Sequence, residues 1–170
     1  MQFGDASTPM RTGLYTPDER RRRDASVWTM VQGVLAPLQF LVFLVSLSLV
    51  IHYVVTGTGL ATANLSVIAK TLVLYLIMVT GSIWEKDVFG QYLFAPAFFW
   101  EDAVSMLVLA LHTFYLVALW AGLLSPTALM ALALAAYATY VINAAQFVWK
   151  LQQARLQGHG HPASGAELAS

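Results

Sequence analysis

Four runs of apolar residues, each long enough to cross a lipid bilayer, constrain this chain more than any other feature. They cover residues 28–55, 65–84, 98–121 and 127–149. A helix needs ~20 apolar residues to cross ~30 Å of hydrocarbon, and each run supplies that. Backbone groups in lipid have no water to bond, so such runs are expected to be helices. The predicted fold is all-α: a polytopic membrane protein built as a bundle of four transmembrane helices. Residues 1–27 form a polar, Arg-rich arm, 28–150 the transmembrane domain, and 151–170 a tail expected to be disordered from about residue 158.

Composition agrees. Hydrophobic residues make up 58% of the chain and charged residues 11%, against about 25% charged in soluble domains. Net charge is zero, so neither a nucleic acid nor another polyanion is implied as a partner. The chain has no cysteine, which excludes disulfides, thiolate nucleophiles and thiolate metal sites. Its start has no apolar stretch of the kind a secretory signal needs, so none is expected. No glycine-rich phosphate loop, HExxH or Gly-x-Ser-x-Gly motif is present, so nucleotide-driven and serine-hydrolase chemistry have no support.

Loop charge predicts the orientation. The arm has Arg11, Arg20, Arg21, Arg22 and Arg23, the middle connection has Lys86, and the tail has Lys150 and Arg155. The connections at residues 56–64 and 122–126 carry no charge. By the positive-inside rule both termini and the middle connection are cytoplasmic. Thr16-Pro17-Asp18-Glu19 reads as a helix start with a capping box. Pro37 is expected to kink or break the first span. The fourth span is alanine-rich (Ala128, Ala131, Ala135, Ala138, Ala145), which predicts a position inside the bundle.

Chemistry concentrates in residues 84–102, WEKDVFGQYLFAPAFFWED, which hold Glu85, Asp87, Glu101 and Asp102. Every other acid lies in a terminal segment. Between the two acidic pairs the chain is aromatic, with Phe89, Tyr92, Phe94, Phe98, Phe99 and Trp100. Two readings fit: an aromatic belt at the membrane interface, or an interfacial or re-entrant segment that walls a pocket for a flat ligand. The alternating span directions put Gln32, Gln39, Glu85, Glu101, Ser105, Asn143 and Gln146 in one membrane half, which favours a polar cavity there. Gln32, Gln39 and Ser46 are spaced by seven and share a helix face. His112 follows Glu101 by eleven residues on the same face, roughly 16 Å deeper. It reads either as a hydrogen-bonded core histidine or as an axial ligand to the metal of a bound tetrapyrrole. His52 is expected at the interface, and His159 and His161 in the tail without a fixed role. Lys70 is expected to snorkel outward along its stem.

Three segments carry a family resemblance: YTPDERRRRDASVWTMVQGVLAPLQFLVFLVSL, WEKDVFGQYLFAPAFFWEDAVSM and AAYATYVINAAQFVWKLQQARLQ. Together they resemble the bacteriochlorophyllide 3-vinyl hydratase family of phototrophic bacteria, over about residues 15–157. The resemblance implies a hydro-lyase of bacteriochlorophyll synthesis in the bacterial inner (cytoplasmic or intracytoplasmic) membrane. It would add water to the C3 vinyl group of chlorophyllide a, or a close relative, to give a 1-hydroxyethyl group, without a cofactor or a metal of its own. Other enzymes of the pathway are expected as neighbours. Such a hydration needs a carboxylic acid that stays protonated, a second carboxylate and an apolar slot for the ring. Glu101 and Glu85 are the leading catalytic pair, with Asp102 and Asp87 in reserve. Gln39, Tyr92, Phe94, Phe98, Trp100, Asn143 and His112 would bind the pigment, His112 through its magnesium. Its propionate would pair with Lys86, Lys150 or an arginine of the arm. Residues alone leave other classes open: a non-enzymatic pigment-binding or assembly subunit, or a small transporter.

Overall fold

The computed structural model describes residues 14–159, and within them the chain is five helices. They are α1 (Pro17–Ala25), α2 (Val27–Thr56), α3 (Leu60–Phe89), α4 (Phe99–Trp120) and α5 (Pro126–His159). The expectations for Arg11 and His161, and for the tail beyond residue 159, lie outside the described residues.

Four of the helices are long and apolar enough to cross a membrane, and the protein is a polytopic membrane protein of the expected class. α2, α3 and α5 run past the apolar cores read from sequence, because backbone pairing continues into the polar flanks after the hydropathy has fallen, while α4 stops one residue short at each end. α1 begins as its sequence predicts. The Thr16 hydroxyl accepts from the Glu19 N–H while the Glu19 carboxylate accepts from the Thr16 N–H, with Pro17 in the first turn. Ser26 then separates α1 from α2 and caps the second helix through its side chain. Pro37 lies within α2 without ending it.

α2 packs along α3, and α4 along α5, so the bundle is two antiparallel hairpins. The hairpins meet where α2 faces α5 and, more sparsely, where α3 faces α4. The shared core is filled by Phe43, Val50, Val67, Val108, Tyr115, Met130 and Tyr137. α5 is the most buried span, as its small residues predict. The alanines responsible are Ala133 and Ala136, however. Ala131, Ala135, Ala138 and Ala145 face outward, because the stripe that meets the core is set by Tyr137 and Tyr140 on the opposite side of the helix.

Only residues 90–98 lie between α3 and α4. Gly90 ends α3 with φ of 85°, a left-handed cap that glycine adopts without steric penalty. The chain turns again at Phe94, whose φ of 58° is unusual for a side chain of that size. These two turns fold an aromatic segment back over the end of the bundle that also carries α1.

Candidate active site

At that end of the bundle, a turn of backbone holds two carboxyl groups from different helices. Glu85 comes from the last turns of α3 and Asp102 from the first turn of α4, and both are buried. Each also accepts from the connection: the Phe94 N–H donates to Asp102 Oδ2 at 2.8 Å and the Ala95 N–H to Glu85 Oε2 at 3.2 Å. The left-handed Phe94 is what aims two successive N–H groups at the two acids. Backbone strain of this kind is of order 1–3 kcal/mol and persists where surrounding bonds fix it.

Glu101 belongs to a different set. Its carboxylate pairs with Lys150 of α5 at 2.5 Å. Its carbonyl accepts from Asn143 Nδ2 at 2.9 Å and from the Ser105 hydroxyl at 2.8 Å, and Ser105 also reaches Asn143 Oδ1 at 3.0 Å. Glu85 thus stands with Asp102 at one turn of backbone, and Glu101 stands with Lys150. One residue along α4 is about 100° of rotation, and that turns Asp102 toward α3 and Glu101 toward α5. Asp87 is exposed and joins neither set.

The aromatic residues divide in the same way. Phe98 is buried against Trp84, Phe89 and Phe147, with ring centroids at 5.7, 5.8 and 5.9 Å. Tyr15, just before α1, stacks on Phe89 at 5.8 Å and lies under the Arg23 guanidinium at 4.7 Å. Burial holds the Tyr15 hydroxyl above its ordinary pKa against the opposing effect of Arg23. The sequence gives Tyr15 no site role of its own; only its place beside the helix-start signal marks it. Phe94, Tyr92, Phe99 and Trp100 are instead exposed. Phe94 and Phe99 touch at 5.6 Å, and Lys86 lies over the Tyr92 ring at 5.2 Å while bonding the Gly90 carbonyl.

Deeper in the bundle, Gln39 is 2% exposed and its Oε1 has no hydrogen-bond partner among the described residues. Gln146 Oε1 is in the same state, whereas Gln32 bonds Thr80 at 2.8 Å. Lys70 does not snorkel. It is fully buried, 2.8 Å from His112 Nε2 and 4.0 Å above the Tyr140 ring. Its neighbours explain the difference: aromatic faces and an imidazole offer the ammonium stem a closer destination than the interface. His112 Nδ1 faces the Val108 carbonyl at 2.8 Å. Both ring nitrogens thus have a polar neighbour at hydrogen-bond distance.

The pattern of known proteins agrees with this chain over nearly its full length. The family model described as 2-vinyl bacteriochlorophyllide hydratase matches residues 15–153. This chain belongs to that family. A relative named 2-vinyl bacteriochlorophyllide hydratase in Rhodobacter capsulatus is 65% identical over 150 residues, covering 88% of this chain and 86% of its own. Another of the same name, in Cereibacter sphaeroides, is 63% identical over 157 residues, covering 92% and 96%. No solved structure matches the chain. The family match begins at Tyr15, so it takes in that residue, α1 and both carboxyl sets.

Proposed function

We propose that this protein is the membrane hydratase that its family's name describes. It adds water across the vinyl group of a bacteriochlorophyllide precursor in bacteriochlorophyll synthesis. Identity of 63–65% with two hydratases over almost the whole chain is the observation that carries this. The vinyl-bearing position is C3 in the resemblance and is numbered 2 in the relatives' name.

The site's chemistry suits the reaction. Two buried carboxyl groups held by successive N–H groups of one turn repel each other as a double anion, so in this reading Glu85 and Asp102 together hold one transferable proton. Delivered to the terminal CH2, it makes a methyl group and leaves the adjoining carbon cationic, conjugated with the macrocycle. The pair, now without its proton, faces that cation as negative charge, which is the electrostatic assistance the step requires. Water adds to the carbon, and the proton it sheds returns to the pair, so the acid is regenerated without cofactor, nucleotide or redox change. Glu101 is less suited to donate, because its carboxylate is the counter-charge of Lys150. The exposed rings of Phe94, Phe99 and Trp100 offer flat apolar surface beside Asp102, and Lys86 offers a cation for the propionate. With the arm, the middle connection and the tail on the cytoplasmic side of the inner membrane, the site faces the cytoplasm.

Membranes containing this protein alone should convert a vinyl chlorophyllide. Loss of a conjugated double bond moves the long-wavelength absorption to the blue, and mass spectrometry finds one added water. Pigment bound but unchanged, or a strict need for ATP or a second protein, would sink the proposal.

A further inference from the structure

Glu85 and Asp102 are buried, so a bulky planar pigment needs a way to them, and the packing closes most of the routes. The end of the bundle is closed by interlocked rings: Tyr15, Trp84, Phe89, Phe98 and Phe147, with α1 laid against α3. The seam where α2 faces α5 is also full. Phe43 meets Tyr137 and Tyr140 with ring centroids at 5.4 and 4.9 Å, and Ser46 bonds the Tyr137 hydroxyl at 2.5 Å.

The seam between α3 and α4 is built differently. Helix packing there is sparse, and individual polar contacts tie the two helices. Tyr115 bonds Asn64, Lys70 bonds His112 and Tyr75 bonds Thr113, each at 2.8 Å. The Tyr75–Thr113 bond lies on the outer surface of the bundle, where its surroundings are hydrocarbon. Two hydroxyls in that medium hold each other because a lone hydroxyl there is costly. The buried Lys70–His112 contact pins the seam about 22 Å from Glu85 along α3 and about 15 Å from Asp102 along α4, at ~1.5 Å per helical residue.

We infer that the pigment reaches the carboxyl pair sideways from the bilayer, by parting α3 from α4 between the Lys70–His112 pin and the Glu85–Asp102 pair. This rests on the hydratase reading. An apolar ring with one carboxylate lies in the hydrocarbon with its charge at the interface, which puts the ring beside this seam and the carboxylate near Lys86. Phe94, Phe99 and Trp100 form an exposed run of touching rings, and the N–H of Phe94 holds Asp102, so contact with these rings reaches the acid directly. The Tyr75–Thr113 bond is the latch.

The chain has no cysteine, so Tyr75→Cys with Thr113→Cys introduces the only two thiols. A bifunctional methanethiosulfonate should bridge them in vesicles that contain the vinyl pigment. Turnover should fall in proportion to the bridged fraction and return when a reductant cleaves the bridge. A disulfide between Ser46→Cys and Ser66→Cys, within the α2/α3 hairpin, should leave turnover unchanged. Bridged protein that turns over at its reduced rate overturns the inference, as does a loss seen equally in the Ser46/Ser66 pair. Tyr75→Phe supplies a thiol-free check. Thr113 keeps its bond to the Leu109 carbonyl, the latch is gone, and pigment capture from vesicles should quicken; unchanged or slower capture counts against the inference. Should the unmodified protein fail to hydrate the pigment in the same vesicles, it is the hydratase reading that fails.

Discussion

Glu101 and Asp102 are adjacent in the chain, yet the turn of α4 sends one to a lysine and the other to the backbone turn that also holds Glu85. Their substitutions should therefore differ in kind. Glu85→Gln and Asp102→Asn keep shape and hydrogen bonding but remove the shared proton, so each should retain pigment and lose turnover by about 10²–10⁴-fold, the usual worth of a general acid. Glu101→Gln should affect turnover less and instead loosen the hold of Lys150 on α4. Steady-state rates with pigment binding measured separately will sort these, and a collapse in Glu101→Gln with near-normal Glu85→Gln would move the donor to Glu101. The same residue scale explains Phe94. Its left-handed backbone is held by the bond it donates to Asp102, so the geometry of the acid pair and the strain of the connection depend on each other.

Among the elements, α3 and α4 are the pair that needs polar contacts to stay together. Lys70 and His112 are both fully buried, one on each helix. His112→Leu alone leaves a buried amine without its acceptor, a loss of roughly 1–3 kcal/mol for an unsatisfied buried group and more if it is charged. Lys70→Met together with His112→Leu fills the same space with apolar atoms and should recover most of that loss. Denaturation midpoints in detergent for both singles and the double test this; strictly additive losses would mean the two side chains act independently. Hydration by either variant should continue, because neither residue touches the carboxyl pair.

For the whole molecule, two hairpins crossing a membrane with α1 laid over one end make a one-sided protein. The charged ends coincide with the site, so sidedness is also the direction from which the site is closed. Single cysteines at Thr58, Gln91 and Ser125 have no native thiol to compete with. An impermeant label should reach Gln91→Cys from the cytoplasmic face, and Thr58→Cys and Ser125→Cys from the opposite face. Cytoplasmic labelling of Thr58→Cys or Ser125→Cys would invert the orientation and put the carboxyl pair on the far side.

The sequence by itself determined the number of spans, the helix start at Thr16 and the segment that carries the chemistry. All three are local. Hydropathy over ~20 residues decides whether a helix can sit in lipid, a capping box is complete within four residues, and the acids of residues 84–102 stand out against an apolar chain. It could not determine which acids pair. A helical face read from spacing says which residues share a side but not which neighbouring helix that side meets, so Glu101 read as the partner of Glu85 and Asp102 as a reserve. Lys70 read as a snorkelling residue for the same reason: the imidazole and tyrosine rings that keep it inside come from helices forty or more residues away. The partners of Glu85, Glu101, Lys70 and His112 were decided by how the two hairpins cross, because a buried polar group takes the nearest satisfying partner in space, whatever its distance along the chain.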